Sequence, residues 1–415
     1  MKKNLLVAQS GGPTAVINGS LSGLIREAMC HPEVIGAVYG AVNGIEGILQ
    51  DRIIRVDDQF ASAADFELLC HTPSSALGSC RFKMPSPESG AAEYARLLEI
   101  FRKYEIGFFA YIGGNDSMDT ANKIANYCYE HGEEVRVVGV PKTIDNDLPV
   151  TDHCPGFGSA AKYIATTLME ISADSAVYPL KSVTVVEIMG RNAGWLTAAS
   201  SLSRALGGSY GPQLIYLPEA AFDVDCFLDD VRGALEKEDS VVIAVSEGVR
   251  LADGSYVAES MQSGQVDAFG HKYLAGVGKY LERLIADRIG CKVRSIELSV
   301  LQRAASHLQS GTDLAEAIRT GETAVQFLIA GKTRVMVALR RISNEPYRIG
   351  YEAVPLEAVA NVEHKIPREW INEAGNGVRE ELVRYLAPLI QGETAVPMKD
   401  GVPVHFAFDK TPIEG

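Results

Sequence analysis

The chain has 415 residues, 47% of them apolar and 22% charged, with a formal net charge of −14. That length exceeds one core and points to two connected domains, and the composition excludes wholesale disorder. The acidic balance excludes a general affinity for nucleic acid or for an anionic membrane, so an anionic substrate here needs local cations.

In chain order, Leu5-Leu6-Val7-Ala8 meets Gln9 and Ser10 too early for a secretion signal and reads as the first strand, at 4–9. A helix follows, with Ile17, Leu21, Leu24 and Ala28 on one buried face. Strands are expected at 35–42, 106–112, 135–140, 182–189, 213–218, 240–246, 293–300 and 334–342. Most are uninterrupted apolar runs, the kind covered on both faces of a parallel sheet. Helical periodicity lies between most of them, at 117–130, 159–172, 194–206, 224–237, 274–289 and 312–330. A tail from about 361 adds a helix at 377–391 and carries no motif assignable to chemistry. The repeated βα order predicts an α/β protein with two doubly wound, mostly parallel, Rossmann-like sheets. No Pro- or Ser-rich linker separates the halves, so the chain is expected to pass between domains more than once. Cys30, Cys70, Cys80, Cys128, Cys154, Cys226 and Cys291 form no Cys-x-x-Cys pair, which fits ordinary thiols in a reducing compartment. No apolar run approaches the length of a membrane span, and a cytoplasmic protein is expected.

Gly11-Gly12 directly follows the first strand, where backbone N–H groups and a helix N-terminus accept phosphate oxygens. The pair equally suits a tight turn that needs glycine's freedom in φ. Gly113-Gly114-Asn115-Asp116-Ser117 repeats the arrangement after strand 106–112, although Asp116 or Ser117 also suits a helix cap. Two such turns favour a shared phosphate site. The next strand ends in Pro141-Lys142-Thr143-Ile144-Asp145-Asn146-Asp147, which gathers a cation, a hydroxyl and carboxylates at the strand edge where open α/β sheets bind ligands. Lysine neutralises phosphate charge there, and a nearby Asp accepts a proton from an attacking hydroxyl or coordinates magnesium. Met189-Gly190-Arg191 and Glu247 close two further strands, and Arg294 and Arg303 stand near sheet ends as natural partners of a sugar phosphate.

Other templates fail. Gly331-Lys332-Thr333 lacks the leading glycine of a Walker loop, with Gln326 in its place. Gly156-Phe157-Gly158-Ser159-Ala160-Ala161 follows Asp152-His153-Cys154-Pro155 rather than an apolar strand, so it reads as a loop entering a helix. His271, His307 and the other histidines show no paired metal-ligand spacing.

Taken in order, Gly11-Gly12, Arg81 in Gly78-Ser79-Cys80-Arg81-Phe82, Gly113 to Ser117, Pro141 to Asp147, Met189-Gly190-Arg191, Glu247 and Gln302-Arg303 resemble the phosphofructokinase family, from residue 4 to about 330. The resemblance extends to its pyrophosphate-using form: Asp116 stands where ATP users have glycine, and Lys142 where they commonly have glycine too. A carboxylate beside a nucleotide α-phosphate repels it, while an ammonium stabilises the phosphate leaving pyrophosphate. The resemblance therefore implies reversible, Mg2+-dependent phosphorylation of fructose 6-phosphate by pyrophosphate.

Carried over by position, Asp145 is the expected base for the sugar's 1-hydroxyl, with Thr143 beside it. Lys142 and Arg81 balance transferred charge, and Asp116 selects the donor. Gly11, Gly12, Gly114 and Ser117 face pyrophosphate. Met189, Gly190, Arg191, Glu247, Arg294 and Arg303 line the sugar-phosphate pocket, and magnesium sits near Asn115 and Asp116 with Asp147 close. The donor domain is expected over 1–158 plus about 304–360, and the sugar domain over 159–303 plus about 361–415. A homodimer or homotetramer with weak or no allosteric control is expected. Three positions depart from the family pattern: Asn115 replaces an acidic magnesium ligand, Val300 a frequent histidine, and Ser182 an arginine that bacterial ATP enzymes lend to a neighbouring subunit, with Lys181 one residue earlier. The alternatives are an ATP-dependent phosphofructokinase, a nucleotide-binding oxidoreductase and a catalytically silent subunit of the same fold.

Overall fold

The computed structural model describes residues 2–258, 276–360 and 362–413. His271 and the expected helix start at 274 lie outside them. The first part of the chain runs β1 (Lys3–Gln9), α1 (Ile17–Met29), β2 (Ile35–Ala41), α2 (Gly44–Leu49), β3 (Ile53–Arg55), α3 (Ala63–His71), α4 (Ala91–Lys103), β4 (Ile106–Gly113), α5 (Asn115–Glu130) and β5 (Arg136–Pro141). The middle runs α6 (Phe157–Ser175), β6 (Ser182–Ile188), α7 (Trp195–Ala199), α8 (Ser201–Gly207), β7 (Leu214–Tyr216), α9 (Val224–Lys237), β8 (Ser240–Ser246), α10 (Val277–Ile289), β9 (Lys292–Glu297) and α11 (Leu301–Ala304). It closes with α12 (Gly311–Ile329), β10 (Val335–Asn344), β11 (Tyr347–Pro355) and α13 (Glu380–Leu386).

The strands form a seven-stranded sheet, ordered β11-β10-β5-β4-β1-β2-β3, and a four-stranded sheet, ordered β7-β8-β6-β9. The smaller sheet is parallel throughout. In the larger one β10, β5, β4, β1 and β2 run parallel, and antiparallel β11 and β3 form the edges. Each central strand is apolar on both faces because helices cover both. Leu6 and Ala8 point into a core shared with α4 and α5, while Leu5 and Val7 point into one shared with α1 and α12. The second sheet divides likewise, Val186 and Ile188 facing the α6 side and Val183 and Val185 the α9 and α10 side.

After β9 the chain returns to the first sheet, with α12 against α1. A Cβ at Gly23 would stand 2.1 Å from Ile318 O and one at Gly321 2.0 Å from Ser20 O, so only glycine permits that approach. Several elements differ from expectation. The β10–β11 hairpin adds a strand the sequence reading lacks, the segment 44–103 holds three unforeseen helices, and the expected helix 194–206 breaks at Ser200 into α7 and α8. The tail also divides. Ile366, Ile371, Leu382 and Leu386 join the second sheet's core, but Phe406 and Phe408 cross back to the first, where Phe60 stacks on Phe66 and on Phe406.

Candidate active site

Parallel strands end at a common edge, and here the carboxyl ends of β1, β4 and β5 face those of β6 and β8 across a cleft of about 850 Å³. On the first wall, Gly11 (φ +76°) and Gly12 leave β1 and turn into the approach to α1, and a Cβ on Gly12 would stand 3.3 Å from Arg303 Nη1. Gly113 ends β4 at a point where a Cβ would lie 2.1 Å from Ser117 Oγ, and Gly114 caps α5. Asn115 and Asp116 open that helix at the cleft surface.

β5 delivers Lys142 to the floor. The residue is 3% exposed, and its ammonium donates to Gly12 O at 2.6 Å. Burial holds this amine below its ordinary range, at about 8, Asp145 and Asp147 opposing the shift and Arg303 adding to it. The Asp145 N–H donates to Thr143 Oγ1 at 3.0 Å, which fixes the turn and turns the carboxylate into the cleft. Burial raises the Asp145 carboxyl above its usual range, with Lys142, Arg191, Thr143 and Arg303 pulling it back. Asp147 is pushed up to about 7, first by burial and then by the charge of Asp145. Asn146, in the left-handed region (φ 55°), points the other way: its amide donates to Tyr385 Oη at 3.0 Å and its oxygen accepts from Cys154 N at 2.9 Å.

On the second wall, Met189 N donates to Gln302 Oε1 at 3.4 Å and Gly190 N to Glu247 Oε1 at 3.3 Å. Burial raises the Glu247 carboxyl to about 7. Arg191 lines the cleft with its Nε buried and unmatched by any acceptor among the described residues, a donor placed for an anionic ligand. Arg303 faces the same space beside Arg81, and burial together with the Arg81 charge lowers its pKa.

Every site residue expected from the sequence borders this cleft except Gly190, whose backbone carries the wall, and Arg294. Arg294 is the third residue of β9, in register with Thr184, and its guanidinium faces Asp174 at 3.6 Å, outside this chain's cleft. Lys181 likewise pairs with Asp239 at 2.9 Å. The cleft also contains Lys83, Asn192, Glu297 and Glu363, none of which the sequence reading singled out. Lys83 lay two residues beyond a recognised motif residue and Asn192 one, whereas nothing in the tail sequence marks Glu363.

The profile of the phosphofructokinase family matches residues 4–328, which include every motif in this cleft. The chain belongs to the phosphofructokinase family. This phosphofructokinase is 44% identical over 402 residues to the pyrophosphate–fructose 6-phosphate 1-phosphotransferase of Halomonas elongata, spanning 96% of this chain and 94% of that one. To the protein of the same name from Methylococcus capsulatus it is 43% identical over 403 residues, spanning 97% and 94%. The crystal structure of pyrophosphate-dependent phosphofructokinase from Nitrosospira multiformis has a TM-score of 0.89 to it at 38% identity, covering all of this chain and 98% of that chain.

In this phosphofructokinase the dinucleotide-like glycine segment is closed to a ligand. Asp313 accepts from Gly156 N at 2.9 Å and Ser159 N at 2.8 Å, so a protein carboxylate already occupies the start of α6. No helix among the described residues is long and apolar enough to cross a membrane. None of their His, Cys, Asp and Glu side chains gathers in a group of three or more suited to a metal ion. Magnesium does not require such a cage, since it commonly takes one or two carboxylates, substrate phosphates and water. Asp116 and Asp147 border one cleft, and beside the burial that chiefly raises Asp147 the neighbouring Asp145 charge adds to the shift, an anionic contribution that a divalent cation relieves, so these residues fit the ion.

Proposed function

We propose that this phosphofructokinase transfers a phosphoryl group reversibly between pyrophosphate and the 1-hydroxyl of fructose 6-phosphate, giving fructose 1,6-bisphosphate and phosphate. The observation that carries this reading is the buried Lys142 ammonium seated on Gly12 O, with Asp116 across the same cleft at the second glycine turn. A fixed cation at the base of both turns suits a short, highly charged donor, and the Asp116 carboxylate disfavours a third phosphate. The names of the Halomonas and Methylococcus relatives agree with it.

In this reading Gly11, Gly12, Gly114 and Ser117 cradle pyrophosphate, and Lys142 and Arg81 balance its charge. Asp145 takes the proton of the attacking hydroxyl, a task suited to a carboxylate whose burial has raised its basicity. Thr143 holds Asp145 in register, while Met189, Gly190, Arg191, Glu247 and Arg303 receive the sugar phosphate. Asp116 and Asp147, with the Asn115 amide oxygen, would hold Mg2+, which supplies charge neutralisation to the phosphates when bound. We also propose a cytoplasmic homodimer or homotetramer. Val177, Tyr178 and Leu180 after α6, Leu206 at the end of α8 and Tyr210 after it are exposed, and Ser172 Oγ near the end of α6 donates to Gly211 O after α8, giving one apolar surface for a second copy.

The test is a coupled assay with fructose 6-phosphate and Mg2+, offering pyrophosphate or ATP. Turnover with pyrophosphate and little with ATP is expected; a preference for ATP would reject the donor assignment.

A further inference from the structure

The tail segment after residue 361 crosses the mouth of the cleft and bonds to each of its parts in turn. Val362 O accepts from Asn115 Nδ2 at 2.5 Å, on the donor turn. Glu363 Oε1 accepts from Asn192 Nδ2 at 2.7 Å, on the loop that carries Arg191. His364 N donates to Asp147 O at 2.7 Å, and His364 O accepts from Trp195 Nε1 at 2.9 Å. Ile366 N donates to Glu219 Oε1 at 3.1 Å, the same oxygen that accepts from Gly194 N at 2.9 Å. One short stretch of backbone therefore holds together the first turn of α5, the loop after β5 and the loop between β6 and α7.

We propose that Val362–Ile366 is a strap that fixes the two walls of the cleft in register, and that Glu363 is a positioning residue for the sugar-phosphate loop, acting through Asn192. The physical case rests on where the bonds fall. Asn192 follows Arg191 directly, and its own oxygen accepts from Arg250 Nη2 at 3.0 Å, so its orientation is fixed from both ends of the amide. Removing Glu363 leaves the Asn192 N–H groups to water and frees the loop to carry Arg191 away from the ligand. A displacement on the order of 1 Å at a positioning group is enough to cost a large factor in binding or rate. The strap's grip on Asn115 connects the same backbone to the donor turn.

This inference rests on the proposed pyrophosphate and fructose 6-phosphate activity, and the experiment separates the two. Wild type, Glu363→Ala, Glu363→Gln, Asn192→Ala and the double variant Glu363→Ala/Asn192→Ala are assayed for kcat and for the KM of each substrate, with melting temperatures alongside. A wild type inactive with pyrophosphate removes the activity; an active wild type leaves the strap to be judged by the variants. Glu363→Ala is expected to raise the KM for fructose 6-phosphate roughly ten-fold, the scale of one charge-assisted hydrogen bond, with a smaller change in the KM for pyrophosphate. Glu363→Gln retains an acceptor for Asn192 and should restore most of the loss. The double variant should be no worse than either single one. The proposal is overturned by a Glu363→Ala enzyme with wild-type KM values, by Gln proving as damaging as Ala, or by additive effects in the double variant.

Discussion

Around Asp145, burial and the neighbouring cations act in opposite directions, and burial wins. A carboxylate raised above its ordinary range takes a proton more readily at neutral pH than an exposed one does. Asp145→Ser should therefore lower kcat by at least ~10²-fold while leaving the KM for fructose 6-phosphate nearly unchanged, as steady-state kinetics will show. Lys142 presents a different case, because its buried ammonium donates to a neutral carbonyl, Gly12 O. Its charge is most useful when the leaving phosphate becomes more negative, so Lys142→Gly should reduce pyrophosphate kcat more than it raises the KM. Asp116→Gly should instead open a detectable rate with ATP. An Asp116→Gly protein that folds, binds the sugar and gains no ATP activity would defeat this account of donor choice. These residues were legible in the sequence because a chemical group directly after an apolar strand must lie on the ligand edge of a parallel sheet. Arg294 does not follow that logic, because it stands early in β9 rather than after the strand's carboxyl end.

At the scale of the element, the loop from β5 to α6 is held by a buried charge cluster that sequence alone does not reveal. His153 Nδ1 meets Asp152 Oδ1 at 2.8 Å and its Nε2 meets Glu316 Oε2 at 2.6 Å, with Arg341 Nη2 on the same Asp152 oxygen at 2.9 Å. Burial opposes the imidazolium, but Glu316 and Asp152 outweigh it and push His153 up to about 9 from its ordinary 6.5. A folded-state value above the unfolded one means that the protonated ring stabilises the fold fully below about 6.5, and that this contribution disappears as pH rises through about 9. Asp152 runs the other way: its lowered pKa adds stability above its ordinary 3.8, lost in acid. Melting temperature followed from pH 6 to 10 should fall for wild type across the first window. His153→Gln should start with a lower melting temperature, its unfolding free energy reduced by about 3 kcal/mol for an ion pair broken in the interior, and lack that pH-dependent component. The role of His153 was not legible in sequence because Asp152 is merely its chain neighbour there, while the second partner, Glu316, is brought to it on α12 by tertiary packing. The same holds for Asp313, whose capping of α6 explains why Gly156–Gly158 binds no dinucleotide, and for Glu363, brought to the cleft only by the returning tail. By contrast α4 was there to be read, with Tyr94, Leu97, Leu98 and Phe101 on one buried face.

Across the whole molecule, the chain ties its two sheets together by crossing between them repeatedly. Phe408 is 6% exposed against Phe60 and Phe406, far in sequence from the sheet it covers. Phe408→Ala should cost about 3 kcal/mol in denaturant unfolding, at the lower end for a buried phenylalanine, and leave kcat unchanged because the ring packs in the core on the α1 side of the first sheet. The sheet order has another consequence, for how the protein is made. β5 pairs with β4 on one side and with β10 on the other, and residues 142–334 intervene before β10 begins. At roughly 5–20 residues per second, a ribosome needs about ten to forty seconds to supply them. During that interval β5 is an exposed edge of an almost wholly apolar strand, the kind of template on which nascent chains misassociate. The smaller sheet, whose strands all lie between 182 and 297, can meanwhile close on its own. The vulnerable interval in this protein's life thus opens at β5, spans the synthesis of the second sheet's strands, and closes only when β10 covers the edge of the first.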